Sequence, residues 1–292
     1  MGGFFGVVSN KESSRTLYYG TDYHSHLGNK RGGMAVTGDD GRILAIIHDI
    51  TTTQFRAKFE GHMDKLKTHC GIGVISDYDD QPLTICSRLG TYSIVTVGKI
   101  NNLDALVENS FNNHHSGHYL AMSGSIINPT ELISMLVCEE KSFKDGISSV
   151  FRSIKGSCTL MILTKKGIIA ARDRLGRTPL AIGRKNGSLA VTSETCALSN
   201  LGYEAEYYLG PGEIVHITAD GFEQLAPAGS EMQVCSFLWV YYGYPPSNYE
   251  NINVEMVRYR CGRALARNDT VEADLVSGIP DSGIGHAVGY AN

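Results

Sequence analysis

The stretch LAIGRKNGSLAVTSE, residues 180–194, sets Asn186-Gly187 between two apolar runs. An Asn-Gly pair supplies the left-handed residues of a two-residue turn whose twist matches antiparallel strands. The stretch therefore predicts a hairpin. SCTLMILTKKGIIAARD turns at Lys165-Lys166-Gly167 in the same way, and GEIVHITADGFEQL turns at Asp220-Gly221. Earlier, AVTG and RILAII flank Asp39-Asp40-Gly41. GGFFGVVS, GIGVIS and TYSIVTVGKI read as further strands, the last with adjacent β-branched residues. With 33 glycines and 8 prolines, much of the chain should be strands joined by glycine turns.

Between the hairpins the period changes. PTELISMLVCEE and GISSVFRSI repeat their apolar residues at helical spacing and predict a helical pair. RTLYYGTDYHSHLG fits a helix stopping near Gly28, and FRAKFEGHMDKLK an amphipathic one. Hairpins, a helical pair, then more hairpins predict an α+β fold over residues 1–230, two antiparallel sheets with helices packed outside. LAPAGSEMQ is the candidate linker. Beyond it, VRYRCGRALARNDT predicts a helix. ADLVSGIPDSGIGHAVGYA predicts a strand, a glycine-containing loop and a helix start, the opening of an α/β phosphate-binding unit. Residues 231–292 thus read as a linker and the beginning of a second domain, cut off at Asn292.

Composition narrows the function. A net charge of −4 provides no basic footprint for nucleic acid, and no apolar run is long enough to span a bilayer. A cytoplasmic setting is expected. The seven cysteines, Cys70, Cys86, Cys138, Cys158, Cys196, Cys235 and Cys261, are scattered without a C-x-x-C pair. That argues against a disulfide framework and a self-contained zinc site. The acidic SDYDD cluster (Asp77, Asp79, Asp80) and the histidines of NNHHSGH (His114, His115, His118) admit a cation or metal reading. Polar loops account for both better, because no regular ligand spacing continues from either.

Several longer motifs occur in a fixed order. They are R-D-R-L-G-R-T-P-L (172–180), T-S-E-T-C-A-L (192–198), P-G-E-I-V (211–215), C-S-F-L-W-V-Y-Y-G-Y-P-P-S (235–247) and I-P-D-S-G (279–283). In these the chain resembles the amidophosphoribosyltransferases, over nearly its whole length. The resemblance implies an αββα sandwich of the N-terminal-nucleophile hydrolase type that frees ammonia from glutamine, a class II glutamine amidotransferase domain. It also implies a phosphoribosyltransferase domain, using Mg, that adds the ammonia to phosphoribosyl pyrophosphate (PRPP) in purine biosynthesis, with homo-oligomers as the assembled form.

The family's glutaminase nucleophile is a cysteine whose own α-amine serves as base. Gly2 occupies that place. Ser76 falls at the arginine that holds the glutamine carboxylate, and Ile100 and Asn101 at the Asn-Gly pair of the oxyanion site. Pro129 falls at the aspartate that grips the substrate amine. Four departures together imply a degenerate site, with these residues serving in packing, turns and loops, and leave the chain inert alone. Asp281, Ser282 and Gly283 resemble the loop whose amides face pyrophosphate. Cys235 falls at the first of four cysteines that hold an iron–sulfur cluster in some members; a buried structural thiol is the preferred reading. Within the Cys235 motif, Leu238 and Tyr244 stand where charged residues are usual. The expected function is an amidophosphoribosyltransferase fed by free ammonia or by a partner. A non-catalytic regulatory or protein-binding paralogue is the alternative, and an amidotransferase of another pathway would leave the 235–247 and 279–283 motifs unexplained.

Overall fold

The computed structural model describes residues 2–112, 119, 122–123 and 126–292. His114, His115 and His118 lie outside the described residues. In chain order the elements begin β1 (Gly3–Ser9), α1 (Ser14–Asp22), β2 (Arg31–Thr37), β3 (Ile43–Asp49) and α2 (Phe55–Phe59). Next come β4 (Cys70–Ser76), β5 (Leu83–Ser87), β6 (Gly90–Ile100), α3 (Leu103–Asn112), β7 (Met122–Ser123) and β8 (Ile126–Ile127). The helical pair follows as α4 (Pro129–Cys138) and α5 (Phe143–Ser153). Then come β9 (Gly156–Thr164), β10 (Gly167–Ala171), β11 (Ala181–Lys185), β12 (Ser188–Thr192) and α6 (Cys196–Asn200). β13 (Glu204–Tyr208), β14 (Ile214–Ile217) and β15 (Phe222–Ala226) complete the sheets. The remainder holds a π-turn (Leu238–Tyr242), β16 (Asn248–Tyr249), β17 (Ile252–Asn253), α7 (Val254–Ala266) and α8 (Gly283–Ala291).

Two antiparallel sheets carry the fold, in the orders β13-β11-β12-β1-β4-β2-β3 and β15-β14-β10-β9-β6-β5. Strand alternation explains how they stack. Along β1, Phe4 and Val8 enter the core shared with Val95, Met161 and Val215 of the facing sheet. Phe5 and Val7 point the other way, onto Leu17 of α1 and Phe55 of α2. On the far side of the second sheet, Ile94 and Ile162 meet Ile133 of α4 and Ile147 and Val150 of α5. Helices thus cover both outer faces, an α+β sandwich of four layers.

Two expectations are corrected and one element is added. The helix from Phe55 ends at Phe59 and tightens into a 3-10 turn, Glu60–His62, where Gly61 weakens helix propagation. LDALVENSFN, assigned no element from sequence, forms α3. Residues 273–279 form no strand; Leu275 and Ile279 are exposed, and no neighbouring strand offers them a ladder. The helix predicted beyond them is present as α8. It packs so closely on α7 that a Cβ at Gly289 would stand 2.0 Å from the Tyr259 carbonyl oxygen. Among the described residues no helix is long and apolar enough to cross a membrane.

Candidate functional site

β1 runs between β4 and β12, so its first residues meet the ends of both. Gly3 pairs with Ile75, while the Phe4 amide donates to the Ser193 hydroxyl oxygen at 3.2 Å. Gly2 lies against the end of β4: a Cβ there would stand 2.4 Å from the Ile75 carbonyl oxygen. At Gly3 a Cβ would fall 2.5 Å from the His24 ring and 2.9 Å from Leu27. Backbone and neighbouring side chains already fill the space a nucleophile at the head of β1 would need.

His24 is fully buried, its Nδ1 2.9 Å from the Gly20 carbonyl and its Nε2 3.1 Å from the Thr192 hydroxyl. Burial lowers its pKa to about 4, against a smaller opposing pull from Glu194. Glu194 is itself fully buried. It accepts hydrogen bonds from the Ser247 hydroxyl and, at 2.9 Å, from the Tyr249 hydroxyl, with His26 Nε2 at 3.3 Å. Tyr244 packs on His26 at a tilt, ring centroids 4.0 Å apart, and burial pushes its phenol up to about 12. The network ties the end of β12 to residues 244–249.

A neutral buried imidazole has a definite pH signature. Because the folded pKa of His24 lies below its ordinary 6.5, its contribution is complete above that pH and is lost as pH falls toward about 4. The full swing is on the order of 3 kcal/mol. Chemical denaturation from pH 7 to pH 4 is expected to show a steeper loss in the native protein than in His24→Leu. Parallel curves would refute the buried neutral state. The comparison also cancels Asp79, whose pKa is raised to about 6 by burial and then by Asp80, and which acts in the opposite direction.

Ser76, at the end of β4, uses its hydroxyl oxygen to accept the Tyr78 and Asp79 amides at 3.3 and 3.1 Å. The Gln81 side chain brackets the backbone of Thr96, and the Thr96 and Thr130 hydroxyls stand 2.6 Å apart. Asn128 caps α4 by accepting from the Thr130 amide and donates to the Asp80 carbonyl, 2.9 Å in each case. Pro129 is the first residue of that helix, where its missing N–H costs nothing. Ser76 and Pro129 therefore share one polar neighbourhood with Gln81, Thr96 and Asn128.

Ile100 and Asn101 stand apart from it. Ile100 pairs with Gly156, and the Asn101 amide donates to the Lys155 carbonyl. Four residues of strand, about 13 Å, separate Ile100 from Thr96. Val97 lies closer along the strand and faces the intersheet core with Phe4 and Val74. His24, Gln81, Thr96 and Glu194 were missed from sequence because their partners are distant in the chain.

The acidic cluster divides among separate partners. Asp77 accepts the Asn29 amide, and Asp80 pairs with Arg31 at 2.7 Å. Among the described residues no three His, Cys, Asp or Glu side chains converge as a metal would require. Cys235 is half-buried with a free thiol. Asp281 and Ser282 lead into the N-terminus of α8, which begins at Gly283. A polar cavity of about 570 Å³ opens beside Asp22, Asn29, Thr52, Arg56 and Tyr244; neither Gly2, Ser76 nor Pro129 lines it.

The two facing antiparallel sheets between helical layers are the arrangement found in solved PRPP amidotransferases. Residues 67–200 match the family described as a glutamine amidotransferase domain. The chain is 29% identical to the amidophosphoribosyltransferase of Bacillus subtilis over 99% of its own length and 61% of that protein's. It is 33% identical to that of Archaeoglobus fulgidus over 72% of its length and 46% of the relative's. The solved glutamine PRPP amidotransferase from B. subtilis, complexed with ADP and GMP, superposes with a TM-score of 0.88 at 29% identity. That match covers 99% of this chain and 63% of the other. The chain is thus similar to amidophosphoribosyltransferases over nearly its whole length, and it spans about three fifths of the length of the B. subtilis relative.

Proposed function

We propose that this chain is the N-terminal part of an amidophosphoribosyltransferase-like protein of purine biosynthesis whose own glutaminase is silent. Nitrogen then reaches it as free ammonia, or as ammonia released by a partner. The observation that carries the reading is at Gly2, where a Cβ would stand 2.4 Å from a backbone oxygen of β4. Ser76, engaged with the amides of its own loop, and Pro129, which carries no charge, support it further.

In this reading residues 1–230 are the degenerate amidotransferase domain and residues 231–292 the linker and start of the transferase domain. Completion of both sheets by Ala226 favours that division. The ammonia lone pair attacks C1 of PRPP, the bond to pyrophosphate breaks with its electron pair leaving on oxygen, and the amine sheds a proton. Asp281, Ser282 and Gly283 are assigned to the pyrophosphate side, where backbone amides at a helix N-terminus suit an anion. Mg is assigned to the transferase site, with none of the residues described here as its ligand. The setting is cytoplasmic and the assembled form a homo-oligomer.

The test is pyrophosphate release from PRPP by a protein in which this chain continues through the length of its relatives. Ammonia is expected to support turnover and glutamine to add nothing. Glutamine-dependent release would overturn the reading, and silence with both would favour a non-catalytic regulatory paralogue.

A further inference from the structure

A second, smaller cavity of about 160 Å³ lies between the turn after α5 and the loop after β10. Phe151 and Ile154 form its apolar floor, and Lys155, Arg174 and Arg177 stand around it. The loop that presents the two arginines is held firmly. The Gly176 and Gly212 amides both donate to the Asp173 carbonyl, and Gly176 takes a φ of +66°. Lys155 is fixed from the other side, its amide donating to the Asn102 side chain at 2.7 Å.

The charges at this cavity do not balance. Asp173 is the carboxylate that lines it, and its oxygens are already engaged. Oδ1 accepts the Leu175 amide at 3.1 Å, and Oδ2 accepts the Thr178 amide at 3.0 Å and the Thr159 hydroxyl at 3.2 Å. Arg177 donates to a neutral partner, Gln233, at 2.6 Å. None of the three cations forms an ion pair with a described carboxylate, in a chain whose net charge is −4. Like charges gathered around a low-dielectric wall repel one another and focus a positive field into the space between them.

We propose that this cavity is a binding site for a phosphoryl group, held by Arg174, Arg177 and Lys155. Its volume equals about five waters at ~30 Å³ each, room for one phosphoryl group and too little for a nucleoside. Guanidinium groups suit the ligand because they offer paired N–H donors to its oxygens. The site is separate from the glutamine pocket and from the loop at 281–283, and stands independently of the function proposed above.

Isothermal titration at low ionic strength tests it, with inorganic phosphate, pyrophosphate, ADP and adenosine as probes. The three phosphorylated probes are expected to bind one per chain, weakening as salt rises, and adenosine not to bind. Arg174→Gln and Arg177→Gln should each weaken phosphate at least tenfold, Lys11→Gln should not, and Arg177→Lys should retain part of the affinity. Circular dichroism confirms that each variant is folded. Absence of phosphate binding, or binding indifferent to both arginine substitutions in folded protein, would overturn the proposal. ADP tighter than phosphate, lost in the same variants, would support it and extend the ligand onto the surrounding surface.

Discussion

Replacing Gly2 with cysteine is expected to leave glutamine hydrolysis within tenfold of background. Loss of a nucleophile from a catalytic unit costs on the order of a millionfold, so a pocket missing only that group would recover most of that factor. In the function proposed above, three features prevent it. Any side chain at residue 2 must displace the Ile75 carbonyl, 2.4 Å from where its Cβ would sit. Ser76 gives the substrate carboxylate no cation, a charged contact worth about 1.5–3 kcal/mol. Ile100, proposed at the place of the oxyanion asparagine, supplies no side-chain donor; one such donor is worth about 2.7–4 kcal/mol. Together the last two exceed 4 kcal/mol, about three decades in rate. Glutamate release from Gly2→Cys checks this, and recovery by several decades would mean that the pocket is intact. The variant is also expected to lose about 1–3 kcal/mol of stability from overpacking.

Arg172→Met is expected to cost about 3 kcal/mol or more in urea unfolding. Arg172 is 1% exposed and donates to the Leu209 carbonyl at 2.5 Å, the Gly176 carbonyl at 2.6 Å and the Glu250 carboxylate at 2.5 Å. Methionine fills much of the volume but strands two carbonyls and one carboxylate. Removing one member of a buried charged pair costs about 3–5 kcal/mol; Glu250 is 22% exposed, which favours the lower end. The same contact holds Glu250 at a φ of +52°, so residues 248–253 should also become more open to proteolysis. Adding Glu250→Leu should recover part of the loss, because it removes the stranded carboxylate. A loss below 1 kcal/mol for Arg172→Met would show that the contact contributes little.

Where structure follows from neighbours in the chain, the sequence announced it. Asn186-Gly187, Lys166-Gly167 and Asp220-Gly221 each close the hairpin expected, and the period change at residues 129–154 became α4 and α5. Local pattern failed where tertiary partners decide. Residues 273–279 have strand composition but no strand to pair with, and Phe55–Phe59 stops short at a glycine. The site divides along the same line. Gly2, Ser76 and Pro129 were legible as departures from family motifs, whereas His24 and Thr192 meet across 168 residues.

The most direct test of the account is the release of glutamate from glutamine by the unaltered protein, followed for hours at high protein concentration. The account predicts a rate equal to buffer alone, unchanged by thiol alkylation. Turnover above buffer that alkylation abolishes would contradict it, because a cysteine would then be acting where Gly2 leaves no nucleophile.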